Sequence, residues 1–497
     1  LAIDFCEDVP PLEPAAVAFP RSAVEAAALL RAAAESGLEL TPRGAGTGLA
    51  GGALGRGLVA DLARFNRRIG GLDRERGTVR VGAGVVLDHL NSFLAPYGLC
   101  FGPDVATSSR ATLGGMIANN SSGAHAPVYG TTADHVAALE VALPDGRVAL
   151  VGEGCDDLPE LREAAAALVA GSAAAIAERL PPGLVKRRPG YAFDRALRSP
   201  GDLAQLIAGS EGTLVAVTGA VLSVVPRPTR RSLGVLFFDS VEEALGATVE
   251  LSTLGAAAIE HLDRPLVEQT RGQRAFAAAR ALLRLDEEPC AAMLLVEFFD
   301  DDGSRLAELE RRALGRRSLA CATPAAQELV WGLRRAGLSL LTSRAGAAKP
   351  VSGLEDVCVR PGQLPAYVAG LREILAPLGL EASFYGHAAA GELHVRPILD
   401  LHRADDIAKL EAVADQVSEL CRRFAGSLAA EHGLGIARTA YLESHIGPEL
   451  AAASRRLKAL FDPRGVMNPG KVVADGRFRI DGDLRLGPGS ELALPFA

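Results

Sequence analysis

A chain of 497 residues is too long for one hydrophobic core, and its 48% hydrophobic and 23% charged residues are those of a globular protein of two to four domains. The net charge of −8, with basic residues scattered, draws no polyphosphate backbone, so nucleic-acid binding is not expected. The seven cysteines (Cys6, Cys100, Cys155, Cys290, Cys321, Cys358 and Cys421) are dispersed without a C-x-x-C pair, which argues against a disulfide framework and a cysteine-ligated iron–sulfur cluster.

In chain order, residues 20–37 predict a helix with Ser22 as N-cap and Gly37 as C-cap. LELTPRG then reads as a strand entering a glycine-rich loop, GLVADLARFN as another strand, and TVRVGAGVVLDHLNSFLAPYG as a strand feeding a helix. ALEVALPDGRVAL has the form of a hairpin turning at Asp145-Gly146, followed by an alanine-rich helical stretch around 160–179. IAGSEGTLVAVTGAVLSVVPRP supplies two strands and a proline stop. Beyond Pro228 a β-α-β pattern repeats through SLGVLFFDS, AAAIEHLD and AAMLLVEFFDD, and from about 405 the pattern is helical, including a helix at 448–460. No secretory segment or membrane span is expected, since apolar runs such as Leu214 to Pro226 fall short of the roughly 20 residues required. The expected location is cytoplasmic, with peripheral membrane association only through a partner. A chain opening on Leu leaves room for an upstream segment.

Gly46-Thr-Gly48-Leu-Ala-Gly51 is a formal match to the dinucleotide fingerprint G-x-G-x-x-G. That motif needs a helix opening at its third glycine inside a βαβ unit; here more glycines and a strand follow, so the Rossmann reading fails. A Walker loop fails as well, because no Gly-Lys-Ser/Thr follows. What remains is a run of backbone N–H groups with little side-chain bulk, either a pyrophosphate cradle or a turn without a ligand.

A second glycine-rich stretch, PDVATSSRATLGGMIANNSSGAHAPVYGTTADHV, and a third, Gly209-Ser-Glu-Gly212-Thr213, favour the cradle. TPRGAGT together with FGPD…ATLGGMIANN resembles the FAD-binding domain of vanillyl-alcohol-oxidase-type flavoproteins. GHAAAGELHVRP, EHGLGIARTAYL and FDPRGVMNPGKV narrow the resemblance to the FAD-linked D-2-hydroxyacid dehydrogenases, such as D-lactate, D-2-hydroxyglutarate and glycolate dehydrogenase subunits. It runs from about residue 14 to residue 473. It implies an α+β fold: a two-subdomain FAD-binding domain at 1–227, and an α+β cap domain with antiparallel sheet at 228–420. A C-terminal helical segment at 421–475 returns to the flavin, and a polar tail occupies 476–497. It also implies FAD contacts at Pro42, Arg43, Gly44, Ala45, Gly46, Thr47, Gly48, Pro103, Asp104, Thr112, Gly114, Gly115, Asn119, Ser122, Gly123, Glu211, Gly212 and Asn468.

His387 and His394 flank AAAG, a spacing that suits two strands joined by a short turn, and Glu431-His432 follows later. By themselves, two histidines and a carboxylate serve equally as packing residues or as ligands for a divalent ion. The resemblance implies that His387, His394 and Glu431 hold a metal, zinc or manganese, and that His432 is the catalytic base and contacts substrate. Its ordinary pKa near 6.5 suits that task. The resemblance further places Arg334 and Lys349 on the substrate carboxylate. Arg396 stands where the D-2-hydroxyglutarate enzymes have Asn, and Leu338 (with Ser339 adjacent) where they have a hydroxyl. Arg396 either faces the pocket, to bind a second acidic group, or points outside and pairs with an acidic neighbour. His89, His125, His135, His261, His402 and His445 are expected to be structural or exposed.

The implied reaction is oxidation of a D-2-hydroxy acid to the 2-oxo acid by hydride transfer to flavin N5. Electrons would then pass to a separate acceptor: an iron–sulfur subunit, an electron-transfer flavoprotein or a quinone-linked carrier. A homodimer is compatible with the sequence. The competing readings are an alkyl-dihydroxyacetone-phosphate-synthase-like flavoenzyme, whose phosphate substrate would not call for the two-His-plus-Glu set, and a non-catalytic flavin-binding electron-transfer subunit.

Overall fold

The computed structural model describes residues 12–155, 157–482, 484, 487 and 488. Cys6 and the greater part of the tail lie outside the described residues, and the other six cysteines are free thiols. The chain divides into two compact units. Among the described residues, the first comprises those from 12 to 123, Tyr129–Arg227 and those from 427 to 482. The second comprises Ala124–Val128 and Pro228–Gly426.

The first unit opens with the helix Ala23–Ser36. The Ser22 side chain accepts from the Glu25 N–H at its start, and Gly37 in the left-handed region closes it, so both ends satisfy their orphan backbone groups. Its buried face, with Ala26, Ala27, Leu30 and Ala33, packs with Leu40, Ala60 and Met467. A parallel three-stranded sheet orders Ala16–Ala18, Leu58–Asp61 and Leu40–Arg43 with Leu58–Asp61 at its centre. A five-stranded antiparallel sheet follows, ordered Ile69–Asp73, Thr78–Gly82, Ala216–Ser223, Val136–Ala142 and Val148–Gly152. Its last two strands form the hairpin expected around Asp145-Gly146. The chain returns late through Gly435–Phe461, which packs on the helices Pro159–Gly171 and Ala173–Arg179. Only the second half of that long helix carries a plain helical signal in the sequence. The first half begins behind Gly433 and Gly435, and Gly447-Pro448 interrupts the helical φ/ψ between the halves.

The second unit is built on an eight-stranded sheet. Its path is Arg317–Cys321, Arg231–Phe238, Ala292–Phe299, Ala258–Asp263, Ala382–His387, Glu392–Leu399 and Lys349–Pro350, with Asp356–Cys358 also paired to Glu392–Leu399. The inner strands LGVLFF and AMLLVEFF read as continuous apolar runs because both faces are covered. Leu233, Val235, Leu262, Met293 and Leu295 pack with Val330 and Leu333 of the helix Pro324–Arg335. The other face carries Val241–Leu251 and Ser304–Arg311, and at Gly234 an added Cβ would drive into Leu309.

Candidate active site

In the first unit the strand Leu40–Arg43 delivers the glycine-rich loop. Arg43 reaches back to the Ala53 carbonyl, at 3.3 Å, and so closes the loop on itself. Backbone N–H groups from Gly44 to Gly48 donate to no protein acceptor among the described residues. A run of unspent amides is the donor set a pyrophosphate requires. Gly44 lies so close to Thr112 that a Cβ would collide with the hydroxyl, whereas at Gly48 the nearest atom, Asn119 Nδ2, would be 3.7 Å away. Thr112 caps the helix Leu113–Asn119, its hydroxyl accepting from the Gly115 N–H. Gly114 presses on Ala83, and Gly123 on the Asp104 backbone. Pro103 and Gly123 are buried, and the buried Ser122 hydroxyl has no hydrogen-bond partner among the described residues. These features fit an FAD pyrophosphate and ribityl chain.

Asn468 and Glu211 act on this loop by bracing it. The Asn468 amide donates to the Gly52 and Glu211 carbonyls and accepts from Thr41 and Lys471, so the protein already fills it. Gly212 lies against Pro42, where a Cβ would sit 3.3 Å from the ring. The Glu211 carboxylate accepts from the Leu434 and Gly435 N–H groups, both at 2.8 Å. Asn119 Nδ2 donates to the His432 carbonyl at 3.4 Å. The segment carrying Glu431 and His432 is therefore held by Asn119, at the end of its helix, and by Glu211, both of the same unit.

His432 keeps partial exposure, its Nε2 lying 3.5 Å from Glu431 Oε1. The other carboxylate oxygen, Oε2, accepts from Lys186 Nζ at 2.8 Å. Lys186 also donates to the Gly123 carbonyl, and its side chain has no exposure. Nothing in the sequence singles out Lys186, because its partner lies 245 residues away.

In the second unit the two strands expected around AAAG are Ala382–His387 and Glu392–Leu399, joined by a short 3-10 turn and Gly391. The His387 and His394 rings meet edge to face with centroids 5.7 Å apart. Between Tyr385 and His387, Gly386 has φ +152, and a Cβ there would lie 3.0 Å from the Glu392 carbonyl and the Leu393 Cα. The register pairs Tyr385 with His394 and His394 with Asp356, which puts these side chains on one face. Asp356, Glu392 and His394 offer ligand atoms within 4.8 Å of one another. With His387 beside them, this donor set of imidazoles and carboxylates fits a divalent cation. The period-two run Glu392-x-His394-x-Arg396 carried a signal for Glu392, but none existed for Asp356 or Glu355.

Arg396 is buried, with Nη2 3.6 Å from Glu355 Oε1. It therefore has an acidic neighbour, yet it does not point out to solvent. Arg334, in the last turn of its helix, ion-pairs through Nε with Glu260 Oε2 at 2.6 Å, and its guanidinium stands 5.5 Å above the Tyr385 ring. Arg335 is exposed and pairs with Glu328. Lys349 is half-buried and donates to the Arg344 carbonyl. The Leu338 side chain lies outside the described residues; Ser339 is exposed. His387 Nδ1 lies 2.8 Å from Glu260 Oε1. Burial pushes the Glu260 carboxyl up, but the His387 and Arg334 charges and their hydrogen bonds outweigh it and hold it below its ordinary value.

Of the remaining histidines, His89 and His402 are exposed. His135 bonds the Tyr129 carbonyl, His261 and His445 are buried, and His125 pairs with Glu297 at 2.6 Å while stacking on Phe299.

Residues 14–152 match the family described as FAD binding domain, and residues 227–472 the family described as FAD linked oxidases, C-terminal domain. The chain is 33% identical over 491 residues to D-2-hydroxyglutarate dehydrogenase of Escherichia coli (strain K12), covering 93% of this chain and 48% of that protein. It thus spans about half the length of the D-2-hydroxyglutarate dehydrogenases it matches. It is 28% identical to the glycolate oxidase subunit GlcD of Bacillus subtilis (strain 168), covering 94% and 91% of the two chains. The solved structure of p-cresol methylhydroxylase with substrate bound superposes with a TM-score of 0.67 at 12% identity, over 95% of this chain and 92% of that one. At that identity the likeness shows the fold, an FAD-binding α+β architecture of vanillyl-alcohol-oxidase type.

Proposed function

The chain belongs to the FAD-linked D-2-hydroxyacid dehydrogenase family, and from that premise we propose that it oxidises a D-2-hydroxy acid to the corresponding 2-oxo acid. When bound, FAD supplies the acceptor for the Cα hydride, and a divalent metal supplies a Lewis acid at the substrate oxygens. The first unit would bind the FAD, and its unspent Gly44–Gly48 amides and unpartnered Ser122 hydroxyl would hold the cofactor. The second unit is the cap that binds substrate. His387, His394 and Glu431 are the metal ligands carried over from the family. Arg334 binds the substrate carboxylate with its guanidinium fork, and Lys349 adds a point charge. His432 Nε2 takes the hydroxyl proton, and Glu431 beside it favours the imidazolium that results. The electrons would leave through a separate acceptor protein.

The observation that carries this reading is the bracing of the His432 segment within the first unit: Asn119 bonds the His432 carbonyl and Glu211 bonds the Leu434 and Gly435 N–H groups, in the same unit whose Gly44–Gly48 amides are unspent. The protonic and redox halves of the reaction thereby share one rigid frame. The test is anaerobic: the FAD-loaded protein is mixed with D-2-hydroxyglutarate, D-lactate, glycolate, D-malate and the L-enantiomers, with and without prior chelation. Rapid bleaching of the flavin by one D-acid is expected, lost on chelation and restored by zinc or manganese. No bleaching by any acid, with FAD bound and metal supplied, would sink the dehydrogenase reading.

The Lys186 ammonium on Glu431 favours a second reading, in which Glu431 is neutralised by Lys186 and the reaction runs without metal. Bleaching that survives chelation would select it.

A further inference from the structure

Glu260 belongs to none of the residues the sequence singles out, yet it touches two of them. It lies on Ala258–Asp263 directly opposite His387 in the antiparallel register, so the two side chains share a face of the sheet. Its side chain has no exposure, and a carboxylate so placed is tolerated only when its oxygens are paired. One oxygen faces His387 Nδ1 at 2.8 Å, and the other accepts from Arg334 Nε at 2.6 Å. Arg334 makes no other hydrogen bond among the described residues. Its two Nη groups are therefore left to present a planar fork.

We propose that Glu260 is a positioning residue serving both substrate-binding elements of this unit: it fixes the His387 ring for metal ligation and aims the Arg334 fork at the substrate carboxylate. A carboxylate on Nδ1 sets the imidazole tautomer with the proton on Nδ1, leaving the Nε2 lone pair for the metal and raising its basicity. The same carboxylate holds Arg334 by Nε, the one guanidinium nitrogen whose engagement leaves both Nη groups parallel and outward. Tyr385, under the guanidinium and 5.2 Å from the His394 ring, keeps both from tilting. A glutamine at this position accepts from only one partner, because its amide NH2 would face either the Nδ1–H or the Nε–H as donor against donor.

The inference rests on the proposed function, and its test separates the two. The full FAD-loaded chain, stripped of metal, is titrated with Zn2+ against a chromophoric chelator, and anaerobic flavin reduction gives the half-saturating acid concentration. Glu260→Gln should weaken Zn2+ binding by about 10–100-fold and raise half-saturation, while FAD content stays unchanged. Arg334→Met should raise half-saturation yet leave Zn2+ affinity untouched, and at saturating Zn2+ the double variant should bind the acid no more weakly than Arg334→Met alone. If Glu260→Gln does not fold, Glu260→Asp, which keeps the charge at shorter reach, should show both losses in part. A Glu260 variant with wild-type Zn2+ affinity and wild-type half-saturation overturns the inference and leaves the dehydrogenase reading standing. A wild type that takes up no Zn2+ overturns both the metal reading and the His387 half of the inference.

Discussion

At the scale of single residues, position decides the chemistry of each histidine. His432 is held through its backbone carbonyl and through its neighbours Leu434 and Gly435, so the fold does not depend on its ring. His432→Ala should therefore keep its FAD and lose flavin reduction by about 100-fold or more, measured by anaerobic stopped flow. Reduction at the wild-type rate would remove it as the base. His261, fully buried on the strand Ala258–Asp263, gives a different prediction. Burial, partly offset by its bond to the Phe384 carbonyl, lowers its pKa from 6.5 to about 4. The unfolded chain then binds the extra proton first as pH falls, so this residue costs stability progressively from about pH 6.5 down to about pH 4. Stability of the wild type relative to His261→Asn should fall across that window by about 3 kcal/mol, read from denaturant midpoints at fixed pH. A difference independent of pH would mean that His261 titrates at its ordinary value.

At the scale of elements, two features set the site's shape, and the sequence shows each only in part. The strands around AAAG bring His387 and His394 together through Gly386, whose φ of +152 and tight backbone contacts leave no room for a side chain. Gly386→Ala should cost about 2 kcal/mol or more of stability and weaken Zn2+ binding by the full chain. An alanine variant with unchanged Zn2+ affinity would show that the hairpin geometry is not what pairs the histidines. Asn468 ties four partners across the loops of the first unit. Asn468→Ala strands the Gly52 and Glu211 carbonyls and takes one acceptor from Lys471, and should cost about 3 kcal/mol and release FAD at lower denaturant. Retention of FAD equal to wild type would reduce Asn468 to a packing residue.

At the scale of the whole molecule, the proposed site residues divide between the two units: the amide-lined loop, Glu431 and His432 belong to the first, and His387, His394 and Arg334 to the second. Removing metal should therefore leave FAD affinity unchanged while abolishing substrate-dependent reduction, which equilibrium dialysis and anaerobic titration measure separately. Loss of FAD on chelation would show that cofactor binding depends on the metal. Among the described residues no helix is long and apolar enough to cross a membrane.

The sequence by itself determined the local elements and the fold class. Ser22 and Gly37 bound the first helix, Asp145-Gly146 turns the hairpin, and the apolar runs of the second unit become doubly covered strands. These features rest on contacts within a few residues or on periodicity, which a sequence displays directly. Motif order carried the family, and the glycine loop was legible as a cradle because a Rossmann helix could not start there. Glu260 beside His387, Lys186 on Glu431, and Asp356 opposite His394 were decided by strand register and chain return alone. Such pairs are far apart in the chain, and each member reads by itself as an ordinary charged residue. Only the tertiary structure, by burying them together, obliges each charge to have its partner.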